Sequence, residues 1–217
     1  MFAPEGKRVL VPLFILTIIT GMIGYALNIS TLKICFSIIG FLFLFSLYFF
    51  RDPHRSFPKD EKNIYSPADG KVVQIIDVND PDVGEDVVQV SIFLSVFNVH
   101  VNRVPVDGTI KSMEFFKGKF LAAFNHKASK DNQRTEIVME TKNGNLRIRQ
   151  ITGAVARRIF CYADPGSTMH QGDRLGYIMF GSRTDIIFPK TVSLNVEVGT
   201  VVKGGMSVIG RYESNAG

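Results

Sequence analysis

The chain has 217 residues, 25 Lys and Arg against 20 Asp and Glu for a net charge of +5, and is 46% apolar and 21% charged. That is too apolar for a disordered chain. Its 19 glycines without a period exclude collagen, and two cysteines, Cys35 and Cys161, without CxxC or metal-ligand spacing, exclude a disulfide scaffold. The positive balance suits anionic partners, either nucleic acid or anionic lipid. A mean hydropathy of +0.14 lies between soluble and polytopic membrane proteins and predicts an uneven chain.

The unevenness is at the start. Residues 9–27 are nineteen without a charge; after a polar gap at residues 28–31 and Lys33, residues 34–50 are seventeen more. A spanning helix needs roughly 17–25 apolar residues, and a turn of about five residues between two such segments allows only an antiparallel hairpin. A signal peptide would show a small-residue cleavage site before a polar mature start, and here a second apolar run follows instead. Buried core helices would show an amphipathic stripe, and neither segment does. Lys7 and Arg8 precede the hairpin, Arg51 and Arg55 follow it, and only Lys33 is in its tip. Positive charge marks the cytoplasmic side, so both ends of a 1–50 hairpin are expected there, with the rest of the chain at the inner leaflet. Tyr48, Phe49 and Phe50 beside Arg51 read as an interfacial anchor.

Residues 51–65 read as a linker, opened by two prolines in eight residues. Residues 66–217 read as one domain. Strands are expected at 71–78, 87–94, 99–104, 109–116, 135–141, 146–152, 174–180, 185–188, 193–198 and 207–211, with turns at Asp69-Gly70, Asp107-Gly108 and Asn143-Gly144. One or two helical turns are expected within 118–125. The fold class is therefore mainly β, an antiparallel sandwich or barrel-like hybrid after a transmembrane helical hairpin. Residues 198–209 have the rhythm of lipoyl and biotinyl carrier domains, yet no Met-Lys pair offers a modifiable lysine.

Four histidines are present: His54 in the linker, His126 and His170 in polar segments, and His100 in an apolar strand pattern. No pair has the i, i+4 spacing of a zinc helix, so no metal is expected. Asp69 in Ser66-Pro-Ala-Asp-Gly70 is first a turn residue, and a turn at a strand end can also aim a carboxylate into a cleft. Gly181-Ser182 interrupts two strand-like runs, 175–180 and 185–188, where the break serves no packing purpose. Glycine before serine leaves the peptide carbonyl open and permits unusual φ. Gly166-Ser167 is a second such dipeptide, in a loop-like context.

Phe49-Phe-Arg-Asp-Pro53, Ser66-Pro-Ala-Asp-Gly70, His100-Val-Asn-Arg-Val-Pro105 and Gly172-x-x-x-Gly-x-x-x-Phe-Gly-Ser182 occur together and in order. Jointly they resemble the phosphatidylserine decarboxylase proenzymes, in particular the short membrane-anchored bacterial and archaeal type. The resemblance implies self-cleavage between Gly181 and Ser182 into a large β chain, 1–181, and a small α chain, 182–217. Ser182 would become a covalent pyruvoyl cofactor, whose carbonyl forms a Schiff base with phosphatidylserine, releases CO2 and yields phosphatidylethanolamine. The resemblance also implies that His100, oriented by Asp69, activates Ser182 and transfers protons. Longer relatives carry a second histidine where this chain has Arg103; either His100 serves both reactions or Arg103 contacts lipid phosphate or carboxylate. Arg134, in Asn132-Gln-Arg134, is a candidate substrate contact. A relative acting on another serine phospholipid, such as archaetidylserine, and a non-enzymatic carrier-like β domain are the alternatives. The basic residues are scattered without interleaved aromatics, so no nucleic-acid partner is expected, whereas each basic residue near an anionic leaflet is worth about 1 kcal/mol. Homo-oligomerisation stays open.

Overall fold

The computed structural model describes residues 1–123, 128–154, 158–179 and 181–213. The chain divides into two compact units, Met1–Arg55 and Ser56–Gly217.

In the first unit, α1 (Lys7–Ala26) and α2 (Ser30–Phe49) pack on each other as a hairpin. The turn is three residues, 27–29, shorter than the expected five, because Asn28 takes φ +51° and Lys33, already inside α2, reaches back to its side chain at 2.5 Å. Small residues let the helices approach: a Cβ on Gly21 would lie 2.8 Å from the Phe36 ring, and one on Gly24 3.0 Å from Leu32. Phe14 and Phe43 meet at 5.6 Å. Met22, Ile34, Phe41 and Leu44 point outward. Each helix is long and apolar enough to cross a bilayer.

The second unit is mainly β, in chain order β1 (Asn63–Tyr65), β2 (Gly70–Asp80), β3 (Gly84–Leu94), β4 (Val101–Arg103), β5 (Gly108–Phe116), the single turn α3 (Ala128–Asp131), β6 (Arg134–Thr141), β7 (Gly144–Ile151), β8 (Ile159–Cys161), β9 (Thr168–Met169), β10 (Arg174–Ile178), β11 (Ser182–Pro189), β12 (Val192–Leu194), β13 (Val201–Val202) and β14 (Val208–Tyr212). An eight-stranded antiparallel sheet of order β13-β2-β3-β11-β7-β6-β5-β9 curls into half a barrel. Two three-stranded sheets, β4-β10-β8 and β1-β14-β12, complete the unit. The four strands absent from the sequence expectation, β1, β8, β9 and β13, have two or three residues each, too few to show an alternating pattern.

No helix forms in residues 118–123, the described part of the expected helical segment. The Lys119 N–H bonds the Asp131 carbonyl and its own carbonyl takes the Gln133 N–H, which holds the segment extended along the chain after α3.

Alternation sets the two faces of the large sheet. Ile92 and Leu94 of β3, Ile186 and Phe188 of β11, Ile148 of β7 and Ile137 of β6 form one fully buried face. The opposite face carries Ser91, Arg183, Asp185, Arg149 and Glu136 of the same strands and Gln74 of neighbouring β2. Central β11 pairs with β3 from Ser182↔Leu94 onward and with β7 from Arg183↔Ile151.

Candidate functional site

Ser182 does not interrupt a strand. It is the first residue of β11, and the break lies just before it, at Gly181, whose φ of +68° is the left-handed region where glycine is strain-free. Strand pairing to Leu94 fixes the Ser182 backbone, and alternation turns its side chain toward the core face. The side chain is fully buried, and its Oγ makes no hydrogen bond among the described residues. A buried hydroxyl left unpaired costs about 1–3 kcal/mol, so this oxygen does not contribute to stability through a hydrogen bond.

His100 stands beside this bond. It is fully buried, and its Nε2 accepts the N–H of Gly181 at 3.3 Å. Its Nδ1 lies 2.9 Å from the carbonyl of Asn98. A carbonyl only accepts, so Nδ1 carries the proton and Nε2, toward Gly181, is the basic nitrogen. The turn that supplies this carbonyl is pinned by Asn98, whose side chain takes hydrogen bonds from the Ser95 N–H and hydroxyl.

Asp69 is nearly buried, and its Oδ1 accepts the N–H of Gly204 at 2.8 Å, tying the 66–70 segment to a residue beyond Ser182 in the chain. The same segment runs along β4: the Pro67 carbonyl takes the Arg103 N–H at 2.8 Å. Arg103 projects from the face of β4 opposite Asn102. Its guanidinium lies 5.1 Å from the centre of the Phe57 ring and donates to the Gly172 carbonyl. Arg134 is not brought to Ser182. It stands in one cross-strand row with Ile151 and Arg183, on the other face of the sheet, bonded to Glu136 at 2.6 Å and stacked on Phe116. His170 is exposed, near Asp107; His126 lies outside the described residues.

Several residues of the site carry no sequence signal of their own. Gly153 is one: a Cβ there would overlap the Gly181 carbonyl oxygen, so only glycine lets that carbonyl settle against residue 153. Beneath Ser182, buried Asn102 donates to the Thr184 hydroxyl at 3.1 Å and accepts from Gln150 at 2.8 Å, which locks β4 to β11 and β7. Asn and Gln within alternating apolar runs look like ordinary strand residues until the strands are paired.

A cavity of about 500 Å3 opens on the opposite face, among Gln74, Gln89, Ser129, Arg134, Glu136 and Arg149. It is lined by an ion-pair lattice. Arg147 bonds Asp80 at 2.6 Å and Glu136 at 2.7 Å. Burial by itself would raise both carboxyls, but the arginines win: Arg147 and nearby backbone N–H groups hold Asp80 below its ordinary range, and Arg134, Arg149 and Arg147 do so for Glu136. Asp80 and Glu136 are both paired with arginines, so chemistry rather than cavity volume locates the candidate site at Gly181, Ser182 and His100.

Residues 42–210 match the family model described as phosphatidylserine decarboxylase. Proteins named phosphatidylserine decarboxylase proenzyme are similar over most of their length. That of Chlorobium chlorochromatii is 46% identical over 81% of this chain and 84% of its own. That of Carboxydothermus hydrogenoformans is 43% identical over 96% and 95%. That of Ralstonia pickettii is 43% identical over 79% and 80%.

Proposed function

The chain belongs to the phosphatidylserine decarboxylase family, and on that premise we propose that it is a self-processing enzyme that converts phosphatidylserine to phosphatidylethanolamine and CO2. The observation that carries this reading is the buried Oγ of Ser182, without a hydrogen bond among the described residues, directly after Gly181 at φ +68°, with the basic nitrogen of His100 on the Gly181 N–H.

The self-cleavage uses only the chain's own groups and water. His100 Nε2 exchanges its long bond from the Gly181 N–H for the Ser182 hydroxyl and takes that proton as Oγ attacks the Gly181 carbonyl carbon. The C–N bond breaks, the proton passes to the amine of residue 182, and an ester remains. His100, neutral again, takes the Ser182 Cα proton as the Cβ–Oγ bond breaks, which frees the Gly181 carboxylate. The resulting dehydroalanine tautomerises to an imine, and water hydrolyses it to a pyruvoyl group and ammonia. The site fits that group: Ser182 has no side-chain bond to lose on conversion, and β3 holds its backbone. A pyruvoyl carbonyl supplies the electron sink that decarboxylation of an amino-acid headgroup needs.

His100 is assigned proton transfer in both reactions, Asp69 the support of the histidine side of the site, and Arg103 contact with the anionic headgroup. Arg134, on the other face of the sheet, is assigned to the ion-pair lattice instead. The hairpin is assigned to the membrane, with the second unit on the cytoplasmic side.

Intact-mass analysis of the purified protein tests the reading. It should give residues 1–181 and a 36-residue chain, 182–217 by subtraction from 217, the latter blocked to N-terminal sequencing because a pyruvoyl group has no amine. A single uncleaved chain in a preparation that releases CO2 from phosphatidylserine would overturn it, and cleavage after Gly166 would overturn the site assignment alone.

A further inference from the structure

The residue after Ser182 is a fully buried arginine. Arg183 points to the opposite face of β11, where its Nε donates to Asp185 at 2.7 Å and its Nη2 donates both to Gln74 of β2 at 2.7 Å and to Ser91 of β3 at 2.5 Å, while Nη1 has no partner among the described residues. Asp185 is also fully buried, and its second oxygen accepts from Ser129 of α3 at 2.6 Å. Burying an ion pair gains little stability, since apolar residues of similar volume generally do as well or better. What such a pair does provide is a unique position: a one-residue slip of β11 would carry Arg183 to the apolar face and Ser182 away from it.

The contacts continue to the other side of the scissile residue. Asn132, directly after α3, holds the Leu121 N–H and donates to the carbonyls of Leu121 and Thr152. Thr152 precedes Gly153, on which the Gly181 carbonyl rests. The segment from Ser129 to Asn132 is thus bonded at one end to Asp185 of β11 and at the other to Thr152, the residue before Gly153.

We propose that the Arg183–Asp185 pair is a positioning device for residue 182, with Gln74, Ser91 and Ser129 as its anchors. It fixes the start of β11 before cleavage, when Ser182 Oγ must meet the Gly181 carbonyl. After cleavage residue 182 is a chain end, which frays unless it is tied down, and the pair ties it one residue away. This inference rests on the self-processing reading of Gly181-Ser182.

The experiment uses the full chain in detergent and compares wild type with Arg183→Met/Asp185→Leu, Arg183→Lys and Ser129→Ala. Three quantities are measured: Tm, the rate at which freshly synthesised precursor yields the 36-residue chain, and kcat and KM of the processed fraction. The apolar double variant should melt near the wild type yet cleave about 100-fold more slowly, the loss a displacement of about 1 Å brings. Its processed fraction should lose kcat with KM unchanged. Arg183→Lys should recover part of the cleavage rate, because it keeps the charge but not the planar fork. Ser129→Ala, which removes one anchor and leaves the pair, should slow cleavage several-fold at unchanged Tm, and it decides the matter where the double variant does not fold. A double variant or Ser129→Ala that cleaves and turns over at wild-type rates would overturn the inference. Wild-type precursor that never cleaves would instead remove the self-processing reading beneath it.

Discussion

Ser182 combines complete burial, an oxygen without a hydrogen bond among the described residues, and a preceding residue with positive φ. Ser182→Ala removes both nucleophile and cofactor precursor, so cleavage and decarboxylation should vanish together at unchanged Tm. Gel analysis and CO2 release check this, and residual cleavage at 181 would exclude Oγ as nucleophile. Asp69→Asn keeps an acceptor for the Gly204 N–H and removes only charge. The fold should persist while cleavage slows, toward the ~10⁴-fold seen when a triad loses its carboxylate. Wild-type cleavage kinetics in this variant would confine Asp69 to a structural bond. Gly153→Ala places a methyl against the Gly181 carbonyl, so the precursor should accumulate with little loss of the sheet, as read by precursor fraction against circular dichroism.

At the scale of elements, the faces of β6, β7 and β11 separate the chemistry from the ion-pair lattice. The lattice sets an acid limit. Asp80 and Glu136 are held below the ordinary carboxylate range in the fold. Their contribution is therefore complete above that range, around pH 4, and is lost as pH falls through it toward their lower folded values. Melting temperature should be flat from pH 7 to about 5 and fall below that. Arg147→Met strips both carboxyls of a shared partner, and breaking a buried pair this way costs about 3–5 kcal/mol. The deficit in Tm should be largest at neutral pH and narrow on acidification, because protonation relieves the two carboxylates that have lost a partner. A pH-independent deficit would show that Arg147 acts through packing alone.

For the whole molecule, the two apolar helices carry an outward surface of Met22, Ile34, Phe41 and Leu44 that water solvates poorly. The protein should stay in the membrane fraction at 1 M salt, where electrostatic attachment is screened to about 3 Å, and leave only with detergent. Release by salt alone would exclude insertion of the hairpin. Protease outside intact cells should leave residues 60–217 uncut if the second unit is cytoplasmic.

The hairpin and the long strands were legible in the sequence because each rests on a local period: unbroken apolar runs for α1 and α2, alternation for β2, β3, β5, β6 and β7. Ser182 and His100 were singled out through motifs read in order along the chain. Tertiary structure alone decided which residues meet them. Whether a side chain faces the site or the far side depends on strand register, which placed Arg134 away from Ser182 and Arg183 behind it. The Asn98 carbonyl on His100, Gly153 under the Gly181 carbonyl, and the tie of Asp69 to Gly204 join residues 2 to 135 positions apart. Such pairings arise from backbone groups and from closeness without side chains, and neither leaves a mark in the order of amino acids.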